Sequence, residues 1–422
     1  MKDELTSLWE ATANDAPKTE KPEGEYDCDV MIVGAGFTGM SCALRLAKGG
    51  ASVIVVDAVR PGFGASGRNG GQVIPGLKHD PETIDRLYGA FSTEFAGNTA
   101  KTTFDLIAEH NIDCDATPSG WIQGTIKRDH LDLLETRMRE WQSRGADVGM
   151  LDAAEVQAIS GSKRLVGGWL DNRAGQLHSL KYIRGLTRAA QAAGCQVFAP
   201  APVRSMNCIS GKWHGKIAEG MATIRSDHVV VATNGYSGDL FPKLRRSLIP
   251  ANSFQVATAP LGAEQLATVL PNKTPVSDSR RIGNYFRIGP GGRLMMGGRG
   301  TFADPVGRDA FREIISELHA YYPQVKSVPI EFCWSGTLAM TYDHFPHLHR
   351  PLENMTMAVG YNGRGVALST SLGKAIADNL LRPDMPLPLR FSDIKPLFAH
   401  DLHRAYATMA IWYYRLRDHL ER

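Results

Sequence analysis

The stretch that decides the fold is DVMIVGAGFTGMSCALRLAKGGASVIVVD, residues 29–57. An apolar run from Asp29 to Val33 ends in a glycine-rich turn. Met40 to Lys48 then reads as a helix closed by Gly49 and Gly50, and Ser52 to Val56 as a second strand ending at Asp57. Each glycine of the turn has a physical reason. Gly34 permits the tight turn, Gly36 lets a pyrophosphate approach the backbone, and Gly39 lets helix and strand pack closely. Free N–H groups at the helix start, next to Phe37 and Thr38, hold phosphates, while Asp57, with Ala58 beside it, accepts hydrogen bonds from a ribose. The strand, turn, helix and strand together predict a dinucleotide site.

The next segment, GFGASGRNGGQ (residues 62–72), carries glycines at 62, 64, 67, 70 and 71. No ordinary helix tolerates that density, so the backbone is expected to wrap closely around something flat or extended. Here the chain resembles the FAD-dependent family of D-amino-acid oxidase and sarcosine oxidase, and within it the gamma-glutamylputrescine oxidoreductases. The resemblance covers nearly the whole chain. It includes residues 62–72, VVVATNGY at 229–236, GYNGRGV at 360–366 and YRLRDHL at 414–420.

The resemblance implies an α/β fold: a Rossmann-like FAD-binding domain of the glutathione-reductase type beside a mixed-sheet α+β substrate domain. The expected organisation is an N-terminal extension (1–27), a discontinuous FAD-binding domain (28–80, 150–240 and 336–384), a substrate domain (81–149 and 241–335) and a C-terminal helical segment (385–422). Beyond the fingerprint, the implied FAD contacts are Gly64, Ala65, Ser66, Arg68, Asn69, Gly70, Gly71 and Gln72, with Val203 beside the adenine. Further along come Thr233, Asn234, Gly235 and Gly336, then Gly360, Tyr361, Asn362, Gly363, Arg364, Gly365 and Val366. In this family the loop at 360–365 and the start of the helix that follows lie near the flavin pyrimidine edge, where a helix N-terminus favours the negative charge of a reduced flavin. Asn362 and Arg364 are the polar side chains expected to meet flavin or substrate.

Departures from the family pattern bear on the substrate. Alpha-amino-acid oxidases carry an arginine that clamps the substrate carboxylate, and Leu338 stands at that position within Gly336 to Asp343. This favours an amine whose alpha carbon is unsubstituted, although Arg68, Arg287 or Arg364 could take a carboxylate elsewhere. Gly336 replaces the flavin-linked cysteine of sarcosine oxidases, with Cys333 three residues earlier, so FAD is expected to be noncovalent. Met295 or Met296 replaces their oxygen-activating lysine, which leaves oxygen and another electron acceptor both open. Trp334, Tyr285 and Arg287 are the candidate catalytic residues: the aromatic faces would hold a cationic amine or an aliphatic chain, and Arg287 a carboxylate. The expected reaction is oxidation of an amine C–N bond, with gamma-glutamylputrescine or a related polyamine derivative as substrate. Secondary amines or N-methylated amino acids are the alternative, and a flavin-binding structural or sensory protein is the rival of another class.

Composition sets the outer bounds. The 422 residues, 43% hydrophobic, suffice for two large domains and exclude a disordered regulator or a small disulfide-stapled module. Glycine, 43 of 422, stands above the usual ~7%, and the segments above account for the excess. A net charge of +3 with interspersed signs gives no nucleic-acid footprint. Six scattered cysteines without a CxxC pair read as reduced thiols of a cytoplasmic protein, and no apolar run spans a membrane. His344, His347 and His349 near Asp343, and His400 and His403 around Asp401, lack a recognised metal spacing, so no metal is expected. Leu397 to Leu420 reads as a helix packed on its own protein, and the sequence leaves the oligomeric state open.

Overall fold

The computed structural model describes residues 5–217, 220–406, 408, 409, 413 and 417. Most of the 385–422 segment beyond Tyr406, including the 414–420 motif and the end of the expected C-terminal helix, therefore lies outside the described residues.

Two eight-stranded sheets organise the chain. In the first, Met355–Val359, Ala222–Val231, Gly24–Val33, Val53–Val56 and Gln196–Phe198 lie side by side and all parallel. Val53–Val56 and Met355–Val359 are wholly buried, as expected of parallel strands covered on both faces. The helix of the fingerprint, Phe37–Lys48, and a second helix, Gly365–Leu381, pack against each other on this sheet. Ser41 Oγ donates to the carbonyl of Thr370 at 2.7 Å across that contact.

The second sheet runs Ile330–Met340, Ile249–Pro260, Arg293–Arg299, Tyr285–Gly289, Val276–Asp278, Trp121–Thr125, Gly167–Asp171, Val148–Leu151. Its strands alternate faces with period two. Phe254, Val256, Phe286, Ile288, Met296 and Cys333 enter one apolar cluster with the helix Arg312–Tyr321. The intervening residues, among them Trp334, Gln255 and Tyr285, sit on the opposite face.

Three expected boundaries move. Val148–Leu151 and Gly167–Asp171 pair within the second sheet, so the expected return to the first unit at 150 falls at the helix Ser179–Ala192 instead. At the other end, the strand Ile330–Met340 stays in the second sheet beyond 336. Residues 1–27 are not a mere extension. The strand Gly24–Val33 starts before 28, and a short helix, Leu8–Thr12, places Leu8 and Trp9 fully inside the main core. Ser7 caps that helix by accepting from the N–H of Glu10 at 3.1 Å.

Candidate active site

The fingerprint turn is built as its glycines require. Gly34 has φ +107°, and a Cβ there would stand 2.9 Å from the carbonyl oxygen of Ala232. A Cβ on Gly39 would lie 2.0 Å from the oxygen of Gly34. The helix therefore starts against the strand end with room for glycine alone. Asp57 ties the turn together: its Oδ2 accepts from the N–H of Ala35 at 2.9 Å, and Oδ1 accepts from Val59 and Arg60 at 3.0 Å each. Burial raises the Asp57 pKa, against the pull of those three donors. Ala58 is exposed beside it, and the carbonyl of Asp57 accepts from Ala201, two residues before Val203 at the head of a hairpin strand.

Three further loops converge on this turn. In the first, Ser66 Oγ accepts from the N–H of Phe37 at 3.0 Å, at the helix start, and stands 2.9 Å from where a Gly36 Cβ would be. Asn69 holds the same loop: its Nδ2 donates to the carbonyls of Ala65 and Ser66, and its Oδ1 accepts from Gly71 N–H and from Ser179 Oγ. A Cβ on Gly64 would lie 2.9 Å from the ring of Tyr236, whose hydroxyl accepts from Thr337 N–H. In the second loop, after Val231, Asn234 adopts φ +45° and its Oδ1 accepts from Gly360 N–H at 2.9 Å, while Thr233 meets Ser237.

The third is 360–365. Tyr361 shares a 2.5 Å hydrogen bond with Thr38, and Gly363 has φ +86° with open space where a Cβ would be. Asn362 differs from expectation. It is buried, its Oδ1 accepts from Thr341 N–H, and its Nδ2 donates to Thr341 Oγ1 and to the carbonyl of Gly360, so it shapes the loop from inside. Arg364 does face a cavity: its guanidinium lies 4.9 Å from the Trp121 ring centroid, and it heads the helix that begins at Gly365 and Val366.

The polar face of the second sheet lies over the 62–72 loop. One cross-strand row holds Trp334, Gln255, Gly297 and Tyr285. Gly297 is the gap in that row: a Cβ there would lie 2.3 Å from the Tyr285 ring. The ring therefore lies across it, and the Tyr285 hydroxyl bonds Ser253 Oγ and the Gln255 side-chain amide. Gln255 Oε1, fully enclosed, has no hydrogen-bond partner among the described residues. Burial pushes the Tyr285 pKa up to about 12, so the group is a phenol at neutral pH. Trp334 Nε1 donates to the carbonyl of Arg68 at 3.0 Å, and Gly336 leaves room for the Arg68 Cβ. The Arg68 guanidinium lies over Phe63 at 4.5 Å.

Arg287 also differs from expectation. Its Nη1 donates to the carbonyls of Leu177 at 2.6 Å and Gly71 at 3.1 Å, and its Nε to that of Ile288 at 3.2 Å. Burial lowers its pKa to about 9. These contacts make it a brace for the 70–71 turn, where Gly71 has φ +71° and a Cβ would lie 2.3 Å from Nη1. Gln72 ends the loop with Nε2 donating to Val276 and Phe286 carbonyls and Oε1 accepting from Ser277.

Three groups escaped the sequence reading. Trp9 donates to the carbonyl of Asn69 at 2.8 Å and packs on His178, Trp334 and Arg287. Lys78 and Arg137 line one cavity with Arg364. A five-residue helix shows no periodicity, and single basic residues, one in a loop and one on the helix Leu131–Gln142, carry no motif. Among the histidines, His347 pairs with Asp343 at 3.0 Å and His349 Nδ1 meets the carbonyl of Ser392, so their contacts are within the protein.

Residues 29–379 match the family model described as DAO, FAD dependent oxidoreductase. The chain belongs to that family. It is 30% identical over 430 aligned positions, covering all of both chains, to gamma-glutamylputrescine oxidoreductase of Escherichia coli K12, and 31% identical to the probable oxidoreductase OrdL of Haemophilus influenzae, with 92% of each covered. Among solved structures, glycine oxidase from Geobacillus kaustophilus aligns with TM-score 0.74 at 20% identity, over 88% of this chain and all of that one. As a DAO-family member the protein is an FAD-dependent oxidoreductase with a Rossmann-like FAD domain and a substrate domain. The residues present fit the cofactor: the turn has no room for a side chain at Gly34 or Gly39, and it leads into a helix start, the element that binds phosphate. No helix among the described residues is long and apolar enough to cross a membrane.

Proposed function

We propose that the protein oxidises the C–N bond of an amine, with gamma-glutamylputrescine or a related polyamine derivative as substrate, giving an imine that hydrolyses to an aldehyde. The observation that carries this reading is Leu338 in the strand over the 62–72 loop, where an alpha-amino-acid oxidase would place its carboxylate clamp, together with the aromatic row of Trp334 and Tyr285. The full-length likeness to gamma-glutamylputrescine oxidoreductase supports it.

FAD supplies the two-electron acceptor. The Gly34–Gly39 turn, Asp57, Ser66, Asn69, Asn234 and the 360–365 loop would hold it, and the row from Trp334 to Tyr285 forms the opposite wall. Noncovalent binding is part of this reading, because Cys333 is buried in the apolar cluster on the far face from Trp334. The chain's own residues orient the substrate and exclude water. Tyr285 stays protonated, so it serves as a hydrogen-bonding wall and takes no proton from the ammonium. The amine therefore loses its proton to solvent before it settles against the row.

The test is anaerobic mixing of the FAD-loaded enzyme with gamma-glutamylputrescine, putrescine, sarcosine and D-alanine, followed by air. The first should bleach the flavin fastest, and prompt recovery in air marks an oxidase. Fastest bleaching by D-alanine overturns the Leu338 argument, and persistence of oxidised flavin across the panel overturns amine oxidation.

A further inference from the structure

The polar face of the second sheet continues past the row of Trp334, Gln255, Gly297 and Tyr285. Two residues along their strands, Gly336, Ser253 and Arg299 form the next row, about 7 Å further out, and Leu338 with Ala251 the row after that. The first row is closed, with Trp334 and Gln255 fully buried. Beyond it the face opens. Ser253, Gly336, Leu338 and Met340 are half-buried, and neither Leu338 nor Met340 enters an apolar cluster among the described residues.

Arg299 is the cation of this open stretch, and no described residue answers its charge. Its Nη1 reaches the Sδ of Met340 at 3.0 Å, and its guanidinium lies 5.0 Å from the Phe302 ring centroid. A thioether sulfur is a weak acceptor, and an aromatic face replaces no carboxylate. The Nε is enclosed without a hydrogen-bond partner, and no carboxylate pairs with the side chain among the described residues. Burial is the one cause that lowers its pKa, to about 10. A guanidinium so placed is unfavourable until an anion joins it. Reaching Met340 takes the side chain outward, past the row of Leu338 and away from Gly297. Ser253 adds a donor beside it. The Gln255 amide donates to the Tyr285 hydroxyl, whose one proton then goes to Ser253 Oγ at 2.5 Å, so the serine's own proton is left for a further acceptor.

We infer that Arg299, with Ser253 beside it, is the subsite for a carboxylate carried by the amine substrate at the end remote from the reacting nitrogen. This deepens the amine-oxidation reading and rests on it for the identity of the ligand. Arg287, on the same face, is spent on backbone carbonyls and leaves the task to Arg299. An amine seated against the closed row has its carboxylate partner at least one row away. An alpha-amino acid carries its carboxylate on the carbon that bears the nitrogen and cannot span that separation, whereas a gamma-glutamyl amine has the chain to do so. Half-buried Leu338 and Met340 suit the methylene groups between, and the guanidinium fork can take both carboxylate oxygens.

The experiment has two arms on the FAD-loaded enzyme. In the first, kcat/KM for gamma-glutamylputrescine is divided by that for N-acetylputrescine, which keeps the amine and the amide and lacks the carboxylate. In the second, glutarate, which has no amine to oxidise, is titrated by calorimetry. Arg299→Gln should lower the ratio and weaken glutarate binding by about tenfold to a hundredfold, as expected for loss of a charge-assisted contact, and Arg299→Lys, which keeps the charge without the fork, should restore part of both. Should Arg299→Gln not fold, Met340→Glu sets a competing carboxylate beside Nη1 and should lower the ratio in the same way. While amines reduce the flavin the ratio decides, and a ratio unmoved by these substitutions overturns the subsite. Where no amine reduces the flavin, the amine reading falls and glutarate decides: binding weakened by Arg299→Gln keeps the anion subsite, and binding that is absent or unmoved overturns it as well.

Discussion

Replacing Arg287 by methionine separates two roles that the same residue could play. If it clamps a substrate carboxylate, the substitution raises KM and leaves the fold alone. If it braces the 70–71 turn, stability and FAD retention fall first. The structure supports the brace. Loss of Nη1 leaves the carbonyl of Leu177, at 2.6 Å, without its donor in a buried place, while that of Gly71 keeps the N–H of Leu177 at 2.8 Å. An unsatisfied buried acceptor costs about 1–3 kcal/mol. Methionine also removes a desolvated charge whose pKa burial lowers to about 9, and that relief moves the expected loss to the lower end, about 1–2 kcal/mol. The assay is Tm with and without added FAD, together with the flavin-to-protein ratio after gel filtration. Arg287→Met should melt several degrees lower and lose flavin, and excess FAD should recover part of the loss. An unchanged Tm and full flavin content, with KM raised for a carboxylate-bearing amine only, would refute the brace.

Two further outcomes are expected. Gly39→Ala puts a methyl group 2.0 Å from the Gly34 oxygen, and because both partners are backbone nothing flexible yields; a loss of about 1–3 kcal/mol and reduced FAD occupancy should follow, and full occupancy at unchanged Tm would show that the helix can shift freely. His178 packs on Trp9, and burial holds its pKa down to about 3. Above pH 6.5 the ring is neutral whether the chain is folded or not. As pH falls from 6.5 towards 3 only the unfolded chain gains the proton, so stability drops by up to about 1.4 kcal/mol per pH unit. Urea midpoints at pH 7, 6 and 5 should fall less steeply in His178→Gln, and parallel slopes would count against this assignment.

Some parts of the molecule were legible in advance because their causes are local. The two strands of the fingerprint, the helix from 180 onward and the strand at 355–359 announce themselves through buried runs, helical spacing and glycine punctuation. The structure returns Gly24–Val33, Val53–Val56, Ser179–Ala192 and Met355–Val359. The sheet membership of Val148–Leu151 and Gly167–Asp171 was not legible, because a strand's partner is chosen by non-local pairing and both segments read alike for either sheet. Side-chain roles divided the same way. The Gly34 and Gly39 constraints follow from backbone sterics and are read directly. Whether Asn362 and Arg287 turn inward to carbonyls or outward to a ligand depends on which oxygens the fold brings within 3 Å of them.

Spacing and glycine thus determined the dinucleotide cradle, since phosphate approach and positive φ restrict residue type at each position without reference to distant chain. Only the tertiary structure decided that Trp9 props the 62–72 loop, that Arg287 is occupied with backbone, and that Lys78, Arg137 and Arg364 share one cavity. Those three cations come from a loop, a helix and a helix head separated by scores of residues, and charge acts through space regardless of the distance along the chain.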